Sequence, residues 1–175
     1  RIMRATYSYA EPGVIFIDRV NQRNPLHYLE NIRSANPCGE QPLPSYGACL
    51  LGSINLAKLV NRPFTDEAKI DFSELESLVT VSVRMLDNAI DNSRYPLPEQ
   101  EREAVAKRRI GLGITGLADA LIMCGARYGG TKAVALTEQW MTVFQRAAYL
   151  ASSALAEEKD GDADGPETND SDDAK

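Results

Sequence analysis

The spacing of apolar positions changes along this chain, and each change marks a predicted element. Val14 to Ile17 is a short apolar run behind Glu11-Pro12-Gly13, which predicts a turn and then a strand. Residues 21–37 are polar and broken by Asn21, Asn24-Pro25 and Asn36-Pro37, so they read as loop with one short helix around Leu26–Ile32. Residues 38–48 hold two glycines, two prolines and a tyrosine, the composition of an ordered loop. Residues 49–60 return to apolar character, strand-like at first and ending before Pro63. From Ser73 onward the period lengthens. Leu75, Leu78, Val79, Ser82, Leu86, Ala89 and Ile90 recur at helical spacing, and Ser73 with Glu76 forms a capping box.

Pro96 and Pro98 close that helix, and Pro98 to Lys107 predicts a second, charged and exposed one. Ile110 to Gly116 is punctuated by glycine and leads into a helix over Leu117–Met123. A long helix follows from Thr131 to about Glu158, with Val134, Trp140 or Met141, Phe144, Ala148 and Ala151 available for a core. The order of strand, loop, strand, helices, probable strand and helices is that of an α/β protein, with few strands for its helices. A closed sheet needs more chain than this pattern supplies.

Composition sharpens one boundary. The 175 residues are of ordinary globular usage, with 43% hydrophobic and 25% charged positions. The net charge of −6 is unevenly placed. From Glu157 onward there are nine acids against two lysines, while the preceding 156 residues carry a net +1. Residues 157–175 therefore read as an acidic, disordered tail, and neither part offers a basic patch for nucleic acid. No apolar run reaches the roughly 18 residues of a membrane span. The opening Arg1-Ile2-Met3-Arg4 has no apolar stretch behind it, so a cytoplasmic segment of something longer is expected, without a signal peptide. Three cysteines and one histidine, widely spaced, lack the paired spacing of a structural zinc site, and reactive thiols are the better reading.

Gly111, Gly113 and Gly116 match the spacing of a dinucleotide-binding loop, with Glu138 as the following acid. The context argues against it: Lys107-Arg108-Arg109 stands where a buried strand belongs, and helix stands where the second strand belongs. Glycines that turn a strand tightly into a helix explain the segment better. Asn36-Pro37-Cys38-Gly39-Glu40 places amide, thiol and carboxyl at alternate positions. In an extended segment these side chains share a face, and together they can take a proton from a hydroxyl, orient it, and react through sulfur. A plain turn accounts for the same five residues. Cys49, eleven residues on, can join that pocket or begin an apolar strand. Cys124 reads as a core residue, His27 as structural, and Tyr46 as either pocket lining or packing.

Asn36 to Leu56 (NPCGEQPLPSYGACLLGSINL) resembles the active-site segment of the ribonucleotide reductase catalytic subunit, most nearly its adenosylcobalamin-dependent, class II form. The resemblance extends through Glu11–Asp18 (EPGVIFID), Val83–Asp91 (VRMLDNAID), Tyr95-Pro96 and Arg108–Asp119 (RRIGLGITGLAD), and so covers residues 1–156. It implies part of a ten-stranded α/β barrel, with residues 36–56 as the finger loop. It implies Cys38 as the thiyl-radical residue that takes the 3′ hydrogen of the ribose, Glu40 as base for the 3′-hydroxyl and Asn36 as its hydrogen-bonding partner. Cys49 is then one of two thiols that reduce the 2′ position and become a disulfide. Adenosylcobalamin, a ribonucleotide substrate and an external thiol reductant such as thioredoxin follow from the same resemblance. So does a further part of the same enzyme, or a dimer, as partner. The second thiol is expected upstream of Arg1 and the phosphate-binding loops beyond the long helix, so the isolated chain is expected to show no turnover. Alternatives are a di-iron, class I reductase segment and a non-catalytic interaction module whose acidic tail meets a basic partner.

Overall fold

The computed structural model describes residues 1–163, with side chains through Lys159. The chain forms two compact units, residues Arg1–Cys49 with Ser93–Arg109, and Leu50–Asn92 with Ile110 onward.

The first unit begins with helices α1 (Ile2–Tyr9) and α2 (Ile17–Gln22). The strand expected over 14–17 does not form. Val14, Ile15 and Phe16 are exposed coil, and Ile17 opens α2 with Asp18 in its first turn. An apolar run becomes a strand only when another strand accepts its hydrogen bonds, and the described residues provide none here. The helix expected around 26–32 is a set of turns instead. Asn24 organises them, its side-chain oxygen accepting from Leu26 N at 3.0 Å. Asn21 then pins the following loop to α2, donating to Ile32 O and accepting from Ile32 N, both at 2.8 Å. A short antiparallel pair, β1 (Ser34–Ala35) and β2 (Pro42–Leu43), encloses residues 36–41. Helix α4 (Pro98–Lys107) completes the unit within its expected bounds; proline at its first position suits a site where no backbone donor is needed.

The second unit is built on β3 (Leu50–Asn55), paired in parallel with β6 (Ile110–Thr115) from Leu50↔Ile110 to Asn55↔Thr115. A 3-10 turn, Leu56–Leu59, leads to β4 (Val60–Asn61), which pairs antiparallel with β5 (Lys69–Ile70). The α/β content is as expected. Among the described residues the sheet is limited to these two-stranded pairs, and no closed barrel is formed.

Helix α3 (Phe72–Asp91) starts earlier than its expected capping box. Asp71 is the cap, its carboxylate accepting from Ser73 N at 2.9 Å and Glu74 N at 3.4 Å. Both positions carry an N-cap residue type, and the one at the end of β5 holds the non-helical backbone a cap requires. The buried stripe is Leu75, Val79, Ser82, Val83, Leu86, Asp87 and Ile90; Leu78 and Ala89 face outward.

Helix α5 (Leu117–Met123) agrees with its expected span, and its N-cap is Gly116 at φ 68°. A Cβ there would lie 2.3 Å from Asn55 Oδ1, so this close approach between β3 and the β6–α5 joint leaves room only for glycine. Helix α6 (Thr131–Ala163) packs on α3 with Ala133, Trp140, Phe144, Ala147 and Leu155 buried. Val134 is exposed, one step off the stripe. At the far end Arg84 grips Glu158 with two hydrogen bonds, and Lys159 reaches Asp87 at 2.5 Å and Asp91 at 2.9 Å. Residues 157–163 continue α6, and residues 164–175 of the expected acidic tail lie outside the described residues. No helix among the described residues is long and apolar enough to cross a membrane.

Candidate active site

Residues 36–41 form the turn of the β1–β2 hairpin and are not extended. Asn36 braces both sides of it. Its backbone carbonyl accepts from Gly39 N at 3.0 Å, its backbone N donates to Gln41 O at 3.3 Å, and its side-chain oxygen accepts from Gln41 N at 2.9 Å. Its remaining group, the amide nitrogen, donates to Glu40 Oε1. Pro37 sets the entry to the turn, and Gly39 at φ 84° lets it close. The amide and carboxyl of the sequence motif therefore do meet, though by curling of the chain and not by alternation along a strand. Cys38 lies between them in the turn, exposed. A Cβ at Gly39 would touch nothing within 4 Å, so the turn opens on free space.

Cys49 has a different setting. It is half-buried at the foot of β3. Burial raises its thiol above the ordinary thiol pKa, and the charge of Arg109 works against that rise. Arg109 is itself held. Its Nη2 donates to Oε1 and Oε2 of Glu30, each at 2.7 Å. Lys107 reaches the same carboxylate at 2.8 Å and also pairs with Glu103, while Asn24 Nδ2 donates to Glu30 Oε1 at 2.9 Å. The Glu30 side chain is only 2% exposed. Burial alone would raise its carboxyl, and hydrogen bonds from Lys107, Arg109 and Asn24 outweigh that, holding its pKa below the usual value.

This cluster gives a pH prediction. A carboxyl whose folded pKa lies below its unfolded one contributes stability that is complete above the unfolded value and lost as pH falls through the folded one. Replacing Glu30 by Gln is expected to cost about 2 kcal/mol at pH 7, less than a sealed ion pair because Lys107 and Arg109 keep access to water. The cost should shrink steadily below pH 4.5. Urea unfolding of the two chains between pH 3 and 7 measures it, and parallel stability curves would refute the role.

Residues 1–170 match the family model described as "Ribonucleotide reductase, barrel domain". The chain belongs to that family. Over 158 residues, 90% of its length, this reductase barrel chain is 43% identical to the vitamin B12-dependent ribonucleoside-diphosphate reductase of Mycobacterium tuberculosis and 40% identical to that of Thermoplasma acidophilum. The ribonucleoside-diphosphate reductase subunit alpha of Chlamydia pneumoniae is 31% identical over 163 residues. The chain spans 22%, 20% and 15% of those three relatives, respectively.

The fold accounts for the glycine segment of this reductase chain. Gly111 and Gly113 lie inside β6, and Gly116 caps α5 against Asn55, so the spacing that imitates a dinucleotide loop serves a strand and its exit. Cys124 caps the end of α5 in the core, as expected. His27 is exposed, with Nδ1 3.1 Å from Asn24 O and Tyr28 edge-on to its ring. Tyr46 is exposed at φ 60° and packs into no core. Among the described residues no group of three or more His, Cys, Asp or Glu is placed to hold a metal ion. The Glu30–Lys107–Arg109 cluster escaped sequence reasoning. Its one local signal is the basic run Lys107-Arg108-Arg109 directly before a glycine-rich strand.

Proposed function

We propose that this chain supplies the hydrogen-abstracting turn of an adenosylcobalamin-dependent ribonucleotide reductase, acting as one part of a longer enzyme. The observation that carries the reading is the Asn36–Glu40 hydrogen bond across a turn that presents an exposed Cys38. The higher identity to the two B12-dependent reductases supports the choice of cofactor.

The residues present fit that cofactor in one respect. They offer its target, an exposed thiol in a turn open to space. When bound, adenosylcobalamin supplies the one-electron oxidising power that removes a hydrogen atom from the Cys38 thiol. The chain's own residues do the rest of the work assigned here. The Cys38 sulfur radical takes the 3′ hydrogen of the ribose, which restores the S–H bond and leaves the radical on carbon. Glu40 accepts the 3′-hydroxyl proton, and Asn36 holds Glu40 in place by its amide. Cys49, with a second thiol, provides two electrons and two protons for loss of the 2′-hydroxyl as water, Cys38 returns its hydrogen atom to the 3′ carbon, and an external dithiol reduces the resulting disulfide. A radical on sulfur needs no basic neighbour, and residues 36–41 contain no basic side chain.

The test is deoxynucleotide formation by a full-length reductase containing this segment, supplied with a ribonucleoside diphosphate and dithiothreitol. Turnover that depends on adenosylcobalamin, with cleavage of its cobalt–carbon bond seen by absorbance, is expected. Turnover that needs a second, metal-bearing subunit in its place would overturn the cofactor assignment.

A further inference from the structure

Arg109 stands beside Cys49 for a reason the strand register makes plain. The parallel pair begins with Leu50 opposite Ile110, and Cys49 and Arg109 are the residues immediately before each strand. Adjacent strands lie about 4.8 Å apart, and directly opposed residues of a parallel pair project to the same face. The same parity is visible four residues on, where Ser53 opposes Gly113 and a Cβ on Gly113 would meet Ser53 Oγ at 3.5 Å. Arg109 does not reach out to solvent from that position. Glu30 takes its guanidinium on both carboxylate oxygens, and the Glu30 side chain is almost sealed. Long cationic side chains lose much rotamer freedom when fixed, and here that cost is met by a clamp built from the loop after α2.

We propose that Arg109, fixed by Glu30, is a positioning residue that favours the thiolate form of Cys49. The proposal rests on the reading of Cys49 as a reducing thiol, and it adds the group that readies that thiol for disulfide exchange. Exchange proceeds through the thiolate, and a thiol departs from a disulfide faster when its own pKa is lower. Deprotonation of Cys49 sends its proton to water and leaves an anion within the field of the fixed Arg109 cation. The other charged groups in the cluster are Glu30 on Arg109, Lys107 on Glu30 and Glu103 on Lys107. Their charges balance in pairs, and the charge of Arg109 opposes the rise that burial imposes on the Cys49 thiol. Cys124 has a cation of its own: burial raises its thiol, the charge of Lys132 works against that rise, and Lys132 donates to the Cys124 carbonyl at 2.8 Å.

Iodoacetamide labelling of the 175-residue chain across pH 6–10, read by mass spectrometry at each cysteine, tests the proposal without any turnover. Arg109→Gln is expected to move the Cys49 midpoint up, slowing its labelling about three- to tenfold at pH 8, because one pKa unit is a tenfold change in thiolate. Arg109→Lys keeps the charge and should restore most of the rate, which a purely structural role would not give. Glu30→Gln should shift Cys49 in the opposite direction, since it leaves the guanidinium charge unneutralised. The buried Cys124 reports folding in every variant. An unchanged Cys49 midpoint in Arg109→Gln, with Cys124 still protected, overturns the proposal. Should that variant expose Cys124, the decision passes to Glu30→Gln, where a lowered midpoint supports the proposal and an unchanged one overturns it. The parent reading fails separately: a reductase that keeps turnover with Cys49→Ser loses the reducing role, whatever the labelling shows.

Discussion

A full-length reductase carrying Cys38→Ser is expected to lose at least about a thousandfold in kcat with little change in substrate affinity. The side-chain exchange is nearly isosteric, and the turn does not depend on sulfur. Its bracing comes from Asn36, through bonds to Gly39 N, Gln41 N and Glu40, none of which involves the Cys38 side chain. What changes is the bond to hydrogen. An O–H bond is considerably stronger than an S–H bond, so a serine does not yield the radical that takes hydrogen from carbon. Single-turnover assays with labelled ribonucleotide, beside equilibrium binding of the same nucleotide, separate the chemical loss from a binding loss. Turnover within tenfold of the parent would remove Cys38 from the chemistry. A large loss of affinity at intact fold would assign it to binding.

The second large effect is structural. Trp140→Ala is expected to destabilise the chain by about 3–5 kcal/mol. Trp140 is 2% exposed and lies in one buried cluster with Phe144 and Ala147 of α6, Leu75 and Val79 of α3, and Leu121 of α5. A partly open pocket of about 430 Å³ is lined by Trp140 together with Lys69, Asp71, Phe72, Cys124 and Gln139. Truncation would enlarge that space, and the surrounding helices cannot collapse to fill it without leaving their own contacts. Far-UV circular dichroism in urea is the suitable probe, because Trp140 is the chain's one tryptophan and its fluorescence goes with it. Trp140→Phe keeps an aromatic ring in place and should cost less than half as much. A loss below 1 kcal/mol for the alanine variant would mean that α6 is not packed as described.

Much of this fold is written in local sequence, and the exceptions are of two kinds. Helix α4 and helix α5 could be bounded because proline, charge and glycine act where they stand. The start of α3 was misplaced by two residues because Asp71 and Ser73 both carry the cap chemistry, and only the end of β5 selects between them. The apolar Val14–Phe16 segment misled because a strand is a relation between two segments, and sequence shows one at a time. In α6 the position of the stripe slipped by one residue, from Val134 to Ala133, since small residues bury as readily as large ones where helices approach closely. At the candidate site the neighbours Asn36 and Glu40 were foreseen and their geometry was not, because a hairpin turn and an extended strand bring positions i and i+4 together by different routes. Arg109 was out of reach. Its meaning depends on the register with β3 and on a carboxylate 79 residues away in sequence.

That register carries one more consequence. Leu50 and Ile110 are sixty positions apart, and between them the chain leaves the second unit at Asn92, forms α4, and returns. Parallel strands cannot close on a short turn, and a contact across so long a loop must pay for chain closure before it gains anything. Helix α3 can form from its own sequence first, with its cap and its stripe in place. Pairing of β3 with β6 is then a late event in folding. Slow pairing is therefore expected for β3 and β6, later than formation of α3, and hydrogen exchange during refolding would order the two.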